Sequence, residues 1–331
     1  MPGSASMCTA PGTPRPRIGL GEVEALRHRL PDGRRTTVHV ASYALSEVTV
    51  RLVELDPAQP LAAWCARAGV PDALVGGFFV TPHGPALGEV WIDGRRRSSM
   101  PVDPRWAAAR GCLAVDDDGV AIAPRHALPT APRGDLLQAG PVLVAGGRVL
   151  VREGDDPEGF SASRAQFDSD VAAGRHPRAA VGIAGGSLVA IASEGRSADE
   201  AGLTLAELAT LARALGCEYA LNLDGGGSTS LVAGGLLRNA PREARGALIP
   251  GGRPVVTALA LLPRGTGRRG AAGNPRDGGM AAPSAMRSDT ATRPAAGAGA
   301  VAPVPGALPL SLSRLARIDR LRVEQGPAAL R

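Results

Sequence analysis

The most informative stretch of the sequence is residues 204–230, TLAELATLARALGCEYALNLDGGGSTS, in which a helical pattern leads into an apolar run and three glycines. Its leucines recur at spacings of three and four, which is typical of one apolar face of an α-helix. Thr204 followed by Glu207 matches a capping box, and Gly216 is placed to end the helix. We therefore expect a helix over residues 204–215 and a strand directly after it.

Outside this stretch, short apolar or alternating runs lie between Gly, Pro and Asp residues, which is the pattern of strands. Two further segments, residues 60–68 and 163–173, are typical of helices. Many short strands, few helices and no regular alternation of the two predict an α+β fold with a strand-rich mixed sheet. Strands are expected at residues 38–40, 48–53, 73–80, 89–92, 112–115, 120–123, 142–145, 149–151, 180–183, 188–192, 219–223, 230–232 and 255–262.

Composition divides the 331 residues into four segments. Residues 1–35 carry repeated prolines and are expected to be irregular, although residues 21–30 could form a short helix. Residues 36–263 form the predicted domain. Residues 264–309 are rich in Ala, Gly and Pro and predict a disordered linker, because they hold almost no large apolar side chains. Residues 310–331 could form a short amphipathic helix on contact with an acidic or apolar partner.

The net charge of +6 is concentrated at the C-terminus, where residues 264–331 hold 11 arginines against four acidic residues. The predicted domain is therefore near neutral, and composition argues against a nucleic-acid partner for it. No run of about 18 apolar residues is present, and residues 1–20 lack the apolar core of a secretory peptide. These features predict a cytoplasmic protein without a transmembrane segment, and they do not indicate an oligomeric state.

The four cysteines, Cys8, Cys65, Cys112 and Cys217, are widely spaced and match no metal-binding pattern. Cys65, Cys112 and Cys217 lie among apolar residues. Free cysteines are among the most often buried residues, so we expect these three to be reduced core side chains.

A site-like pattern follows the predicted strand that ends near Asn222. Asp224 precedes three glycines, which allow the backbone to approach a ligand closely, and the hydroxyls of Ser228 and Thr229 come next. The segment lacks the Lys of a phosphate-binding P-loop, the glycine spacing of a dinucleotide fold and the Gly-x-Ser-x-Gly elbow of a serine hydrolase. A glycine-rich hairpin turn without function is the alternative.

Two arginines stand at predicted strand ends, where functional groups are often displayed. Arg178 precedes one strand, and Arg196 follows another together with Glu194. A guanidinium matches a phosphate group in bidentate geometry, although ordinary surface ion pairs would explain both arginines equally well. His176 is either a general acid or a structural residue. The remaining histidines, His28, His39, His83 and His126, belong to no recognisable cluster.

Taken together, these residues resemble the phosphodiester glycosidase family over residues 38–262. The resemblance rests on five blocks in the family's order: Gly76-Gly77-Phe78-Phe79, Gln138-Ala139-Gly140-Pro141-Val142-Leu143, His176-Pro177-Arg178-Ala179-Ala180-Val181-Gly182, Glu194-Gly195-Arg196 followed by residues 202–209, and Asn222-Leu223-Asp224-Gly225-Gly226-Gly227-Ser228. Two positions depart from the family pattern. Val75 stands where Asn is usual, and Glu194 stands where Asp is usual.

The resemblance implies hydrolysis of the bond between a sugar's anomeric carbon and a phosphodiester oxygen. Such a reaction needs cations for the phosphate, a carboxylate that assists water or the oxocarbenium-like centre, and donors for the sugar hydroxyls. Asp224 and Glu194 are the implied catalytic residues, Glu194 acting either as acid/base or by orienting Arg196. The implied substrate-binding residues are Arg178, Arg196, Asn222, Gly225, Gly226, Gly227, Ser228, Thr229, Gly77 and Phe78.

The expected partner is a small-molecule or glycan phosphodiester, and no cofactor is predicted. Asp224 with the glycine loop could hold a divalent cation, but the sequence supplies no set of ligands for one. Two other functions remain open. One is a catalytically degenerate glycan- or phosphate-binding module of the same fold, and the other is nucleic-acid association through the basic C-terminal segment.

Overall fold

The computed structural model describes residues 20–81, 84–107, 110–155 and 174–265. Within them the helices and strands are β1 (Glu22–Arg29), β2 (Arg35–Ala44), β3 (Val48–Pro60), α1 (Leu61–Ala68), β4 (Asp72–Val75), β5 (Ala86–Leu87), β6 (Val90–Ile92), β7 (Arg95–Arg96), β8 (Ser99–Met100), α2 (Pro104–Ala107), β9 (Arg110–Asp116), β10 (Gly119–Pro124), β11 (Asp135–Ala145), β12 (Arg148–Val149), β13 (Ala179–Ala184), β14 (Ser187–Ser193), α3 (Leu205–Ala214), β15 (Tyr219–Asn222), β16 (Leu231–Ala233), β17 (Leu236–Leu237) and β18 (Pro254–Pro263). Short 3-10 turns cover Arg125–Ala127 and Gly226–Ser228.

Two antiparallel sheets contain most of the strands. The larger follows the order β1-β2-β14-β13-β15-β11-β6-β7, with β9, β10 and β12 paired beside that path, and the smaller follows β17-β16-β4-β18-β3. The strand-rich α+β prediction is confirmed, but the predicted mixed sheet is wrong, because within the described residues only the short β5–β8 pair is parallel. Tight turns connect β9 to β10 and β13 to β14, and such hairpins join antiparallel neighbours only.

The central strands of the larger sheet are buried on both faces, whereas the outer strands β1 and β7 are partly exposed. Along β13, Val181 packs into a core shared with the smaller sheet, whereas the alternating Ala180 packs into a second core beneath α3. Leu221 and Ala220 divide in the same way along β15, as the period of two in a strand requires. The domain therefore consists of a helix layer, the larger sheet and the smaller sheet, and the central strands are held from both sides.

Helix α3 forms as its pattern predicts. The Thr204 hydroxyl accepts a hydrogen bond from the Glu207 main-chain N–H, and the Glu207 carboxylate accepts one from the Thr204 main-chain N–H. Gly216 ends the helix with a φ of 87°. Arg175 donates through two nitrogens to Glu207 and also binds Asp32; this guanidinium holds the pKa of the Asp32 carboxyl well below its usual range.

The segment expected to be irregular or helical before residue 36 contains strand β1, so the sheet begins earlier than predicted. Pro31, Asp32 and Gly33, with a φ of 87° at the glycine, turn the chain so that β1 pairs with β2 from Glu22 opposite Ser42. This turn composition is a hairpin signal that outweighs the helical reading of a short segment. The strand expected over residues 73–80 also ends earlier, at Val75.

Helix α1 agrees with the helix expected over residues 60–68. The helix expected at residues 163–173, the linker at 264–309 and the terminal helix at 310–331 lie outside the described residues, apart from the first two linker positions. Among the described helices, none has the length and apolar character needed to cross a bilayer.

Three cysteines occupy the core as expected. Cys65, Cys112 and Cys217 are buried and free. Burial raises the pKa of each thiol to about 12, because a thiolate would lose its hydration. At neutral pH these thiols stay protonated, which makes them poor nucleophiles.

The capping box of α3 can be tested by substitution. We expect Thr204→Ala to lower the free energy of unfolding by about 1 kcal/mol, because it removes the acceptor for the Glu207 N–H. Thr210→Ala is the matched control: Thr210 lies on the exposed face of α3 and its hydroxyl donates to the Ala206 carbonyl. Its loss should change stability by less than about 0.5 kcal/mol. Urea unfolding measures both, and equal effects would contradict the cap.

Candidate active site

The sheet register brings three separate chain segments to one edge of the larger sheet. Strand β13 lies between β14 and β15 and is antiparallel to both, with Ala179 opposite Ala192 and Ala180 opposite Asn222. The start of β13 therefore meets the ends of β14 and β15. Arg178, Glu194 and Asp224, which lie far apart in the sequence, come to this edge as the strand-end pattern predicts.

The glycine loop, residues 224–230, is tied at its start to two neighbouring segments. The Asp224 N–H donates to the Gly76 carbonyl at 3.1 Å, and the Gly226 N–H donates to the Pro177 carbonyl at 2.8 Å. Gly226 has a φ of 60°, a conformation that favours glycine. The Asp224 carboxylate accepts a hydrogen bond from the Gly225 N–H at 2.9 Å. The loop is thus held between the end of β4 and the entrance to β13.

Arg196 packs directly on this loop. A Cβ atom at Gly226 would lie 3.0 Å from Arg196 Nη1, so the guanidinium occupies space that only glycine leaves open. Nη1 donates to the Arg242 carbonyl at 3.1 Å, and Nη2 lies 3.4 Å from Nδ1 of His176. Arg196 itself has a φ of 61°, which is rare outside glycine and points to a position that the surrounding structure enforces.

Arg178 reaches the same edge but is more deeply buried. Its main-chain N–H donates to the Ser193 hydroxyl at 3.0 Å, Nε to the Leu203 carbonyl at 3.1 Å, and Nη2 to the Gly174 carbonyl at 3.2 Å. Only 2% of the residue is exposed. These contacts join the start of β13 to the segments around Gly174 and Leu203, so Arg178 braces the framework on which the more accessible Arg196 sits.

Glu194 forms a pair that the sequence did not indicate. Its Oε1 lies 3.0 Å from Nε2 of His39 and accepts a hydrogen bond from the Ala240 N–H at 2.9 Å. Its described side-chain contacts are therefore with His39 and Ala240, whereas the sequence left it open whether Glu194 acts as acid/base or orients Arg196. His39 belonged to no cluster in the sequence, yet it sits on β2 opposite Ala192, two residues before Glu194.

A segment at residues 239–242 joins the parts of the site. Asn239 donates through its side-chain nitrogen to the Thr229 carbonyl at 2.7 Å, and its side-chain oxygen accepts from the Leu231 N–H at 3.0 Å. The next residue, Ala240, binds Glu194, and the Arg242 carbonyl binds Arg196. Sequence reasoning missed this segment, because no motif marks it and its partners are distant along the chain.

Several oxygens of the glycine loop and its preceding strand are buried without a partner among the described residues. They are Asn222 Oδ1, Ser228 Oγ, Thr229 Oγ1 and Ser230 Oγ. A buried polar atom without a hydrogen bond costs about 1–3 kcal/mol, and native proteins retain few of them unless water or a ligand satisfies them. Three of the four belong to the residues expected to bind sugar hydroxyls, Asn222, Ser228 and Thr229. Four buried oxygens without a described partner are thus concentrated in and next to the glycine loop.

Gly77 and Phe78 lie just after β4. The Gly77 N–H donates to the Thr257 hydroxyl at 3.0 Å, and the Arg110 guanidinium carbon lies 5.0 Å from the centre of the Phe78 ring. Phe78 is buried with 7% exposure. Their described partners, Thr257 and Arg110, belong to strands β18 and β9. Gly77 and Phe78 therefore pack against these strands, next to Gly76 and the glycine loop.

Val75, the last residue of β4, is hydrogen-bonded through its main chain to the glycine loop. Its main-chain N–H donates to the Ser230 carbonyl at 3.0 Å, and its side chain is fully buried in the core between the sheets. The departure from the family pattern at this position therefore places an apolar group at the back of the loop, where it offers no hydrogen bond to the loop oxygens.

The described part of the chain holds no cluster of three or more His, Cys, Asp or Glu side chains suited to a metal ion. The groups that the structure does assemble are two carboxylates, two histidines, arginines and a glycine loop with buried oxygens. Such a set can hold an anion and polar hydroxyls and can exchange protons with a bound substrate.

Comparison with known proteins finds a matching family and similar folds. Residues 69–262 match the model of the family described as phosphodiester glycosidase. The fold is similar to the zebrafish N-acetylglucosamine-1-phosphodiester alpha-N-acetylglucosaminidase catalytic domain, auto-inhibited by its pro-peptide, with 18% identity, a TM-score of 0.56 and coverage of 74% of this chain and 86% of that one. The fold is also similar to that of a hypothetical protein from Synechocystis, with 19% identity and a TM-score of 0.54. The match covers 73% of this chain and 62% of the length of that protein. Comparison with curated protein sequences finds no match.

The joining segment supplies a stability test. Asn239→Ala should lower the free energy of unfolding by about 2–4 kcal/mol, because the Thr229 carbonyl and the Leu231 N–H would both lose a buried partner. Gln59→Ala is the control, since Gln59 also donates to a carbonyl, that of Pro57, but near the surface. Chemical denaturation measures both variants. An Asn239→Ala protein as stable as the Gln59→Ala protein would contradict the role given to this segment.

Proposed function

Because this chain belongs to the phosphodiester glycosidase family, we propose that it hydrolyses the bond between the anomeric carbon of a sugar and a phosphodiester oxygen. The observation that carries the proposal is the glycine loop, which holds an arginine guanidinium and buried oxygens that have no hydrogen-bond partner among the described residues. In the proposed reaction water adds to the anomeric carbon, the bond from that carbon to oxygen breaks, and a phosphate monoester leaves.

The phosphate would be held by Arg196. A phosphate monoester is already a good leaving group, so the developing charge needs stabilisation more than protonation. Arg196 is half-buried against Gly226 and is fixed by the Arg242 carbonyl, which orients its guanidinium before substrate arrives. Arg178 has the supporting role of holding the strand ends in place, because its described side-chain donors, Nε and Nη2, bind main-chain carbonyls.

Asp224 is the proposed carboxylate that assists water or the oxocarbenium-like centre, since it opens the glycine loop at the sheet edge. Glu194 acts with His39. A carboxylate that contacts one imidazole nitrogen fixes the orientation of the ring and can stabilise its protonated form. We propose that this pair exchanges the protons of the reaction, in place of the orientation of Arg196 by Glu194.

The sugar hydroxyls would be bound by Asn222, Ser228 and Thr229, whose side-chain oxygens are buried without a partner in the part of the chain that the structure describes. A sugar hydroxyl both donates and accepts, so it could satisfy amide and hydroxyl oxygens alike. The zebrafish enzyme's name makes N-acetylglucosamine the first sugar to test. A glycan or small-molecule phosphodiester is the proposed substrate class.

One observation favours a second candidate, a binding module of the same fold without turnover. Val75 is fully buried behind the loop and offers no polar group to it. If the hydrogen bond of the usual Asn is required to shape the catalytic loop, the loop would still bind a glycan or a phosphate without hydrolysing it.

The main test is release of reducing sugar from a panel of sugar-1-phosphodiesters and nucleotide sugars. We expect turnover by the wild type, a loss of about 10²–10⁴-fold in kcat for Asp224→Asn and a loss of about 10²–10³-fold in kcat/KM for Arg196→Ala. Asp117→Asn and Arg148→Ala are controls, because they make the same changes at exposed positions of other hairpins. They should leave turnover unchanged.

The same panel decides between the two candidates. Saturable binding without sugar release by the wild type would refute the hydrolase and favour the binding module. Val75→Asn should then restore turnover if the missing polar group is the cause. Sugar release that survives in both Asp224→Asn and Arg196→Ala would show that the assigned residues are wrong.

A pair of glycine variants distinguishes the effect of backbone strain from the effect of displacing the Arg196 guanidinium. Gly226 and Gly235 both have positive φ, of 60° and 78°, but a Cβ atom at Gly235 would have nothing within 4 Å. Alanine at either site should cost about 1–2 kcal/mol of stability. Only Gly226→Ala should also displace the Arg196 guanidinium and lower kcat/KM by about 10-fold or more. Equal activity in the two folded variants would contradict the proposed position of Arg196.

A further inference from the structure

Arg253 is a second arginine that packs on the glycine loop. A Cβ atom at Gly227 would lie 3.0 Å from Arg253 Nη2 and 3.2 Å from its Nε. The Arg253 main-chain N–H also donates to the Gly227 carbonyl at 3.3 Å. The residue lies directly before β18, so the sheet fixes its backbone while its side chain lies across the loop.

Among the described residues, the only side-chain partner of Arg253 is Glu243, and this ion pair is partly exposed to solvent. Arg253 Nη2 donates to Glu243 Oε2 at 2.6 Å, and the two side chains are 30% and 46% exposed. Ion pairs with this much exposure contribute little to stability. Nε and Nη1 of Arg253 donate to no residue in the described part of the chain. The guanidinium therefore has donors available for a ligand next to Gly227.

Arg253 and Arg196 are linked through the loop and through one short segment. They pack on adjacent residues, Gly227 and Gly226, whose Cα atoms are about 3.8 Å apart across one peptide bond. The Arg242 carbonyl holds Arg196, and the following residue, Glu243, holds Arg253. Two guanidinium groups are thus attached to neighbouring positions of one glycine loop.

We propose that Arg253 is a second phosphate-binding residue, and that Glu243 occupies its guanidinium until the phosphodiester anion replaces it. This inference rests on the proposed function and extends it by assigning both arginines to one phosphodiester group. Guanidinium groups bind phosphate oxygens in charge-assisted, often bidentate, geometry. Glu243 holds Nη2, which together with the available Nε would form a bidentate contact with the phosphate, so it opposes phosphate binding while it positions the arginine.

This arrangement predicts opposite effects for the two partners. Arg253→Gln should weaken binding of a phosphodiester anion by about 10- to 100-fold, because it removes a charge-assisted contact. Glu243→Gln should strengthen it by about 3- to 10-fold, because the competing carboxylate is gone while a hydrogen-bond acceptor remains. A purely structural ion pair would give effects of the same sign, since either substitution breaks the pair.

The test is isothermal titration of the full chain with dimethyl phosphate, a phosphodiester monoanion without a sugar, and separately with inorganic phosphate. Arg245→Gln is the control, because it removes the same charge at an exposed position two residues after Glu243. Circular dichroism and urea unfolding confirm that each variant is folded. Opposite shifts for Arg253→Gln and Glu243→Gln, with Arg245→Gln near the wild type, are the expected result.

Three outcomes would overturn the inference: no saturable binding by the wild type, equal losses in Arg253→Gln and Arg245→Gln, or weaker binding in Glu243→Gln. The sugar-release assay distinguishes failure of this inference from failure of the proposed function. Phosphodiester binding that depends on Arg253, without any sugar release, would refute the proposed hydrolase activity but support the phosphate-binding role of Arg253. Sugar release with an unchanged kcat/KM in Arg253→Gln would refute the phosphate role of Arg253 and leave the hydrolase standing.

Discussion

The site depends on the position of β13 between β14 and β15. Main-chain hydrogen bonds from β13 to both neighbours set a register in which one strand begins where the other two end. All three strands are buried between α3 and the smaller sheet, so a shift of register would move apolar side chains out of two cores at once. The geometry at the sheet edge is therefore fixed by the packing of the whole domain and not by the loops alone.

The alternation of side chains along these strands divides the functional groups between two faces of the sheet. Arg178 and Asn222 share the face of Ala180 and Ala220, which lies beneath α3. Glu194 and His39 continue the opposite face, which packs on the smaller sheet. The glycine loop passes the end of the sheet between the two faces, and the segment at residues 239–242 binds it to Glu194 and Arg196. A substrate that contacts both groups must therefore lie over the loop.

Features encoded within a few residues were predictable from the sequence, and features that depend on distant residues were not. The capping box of α3 and the position of the glycine loop after β15 follow from local chemistry, since their partners lie three or fewer residues apart. His39 lies 155 positions from Glu194, and its own neighbours in β2 carry no sign of that contact. The antiparallel pairing of the strands could not be predicted either, because a strand pattern specifies which residues alternate and not which strand is the neighbour.

The unpartnered oxygens of the loop tie its function to its stability. Asn222 Oδ1, Ser228 Oγ and Thr229 Oγ1 are removed from bulk water with no partner among residues 20–81, 84–107, 110–155 and 174–265, and an atom of this kind typically costs about 1–3 kcal/mol. The surrounding sheets and cores must offset this cost when no ligand is bound. A ligand that supplies the missing hydrogen bonds binds only the folded state, so it raises the stability of the domain as it fills the site. Polar groups in this loop cost stability that an apolar turn would not, and under the proposed function the hydrogen bonds of a polar substrate offset this cost.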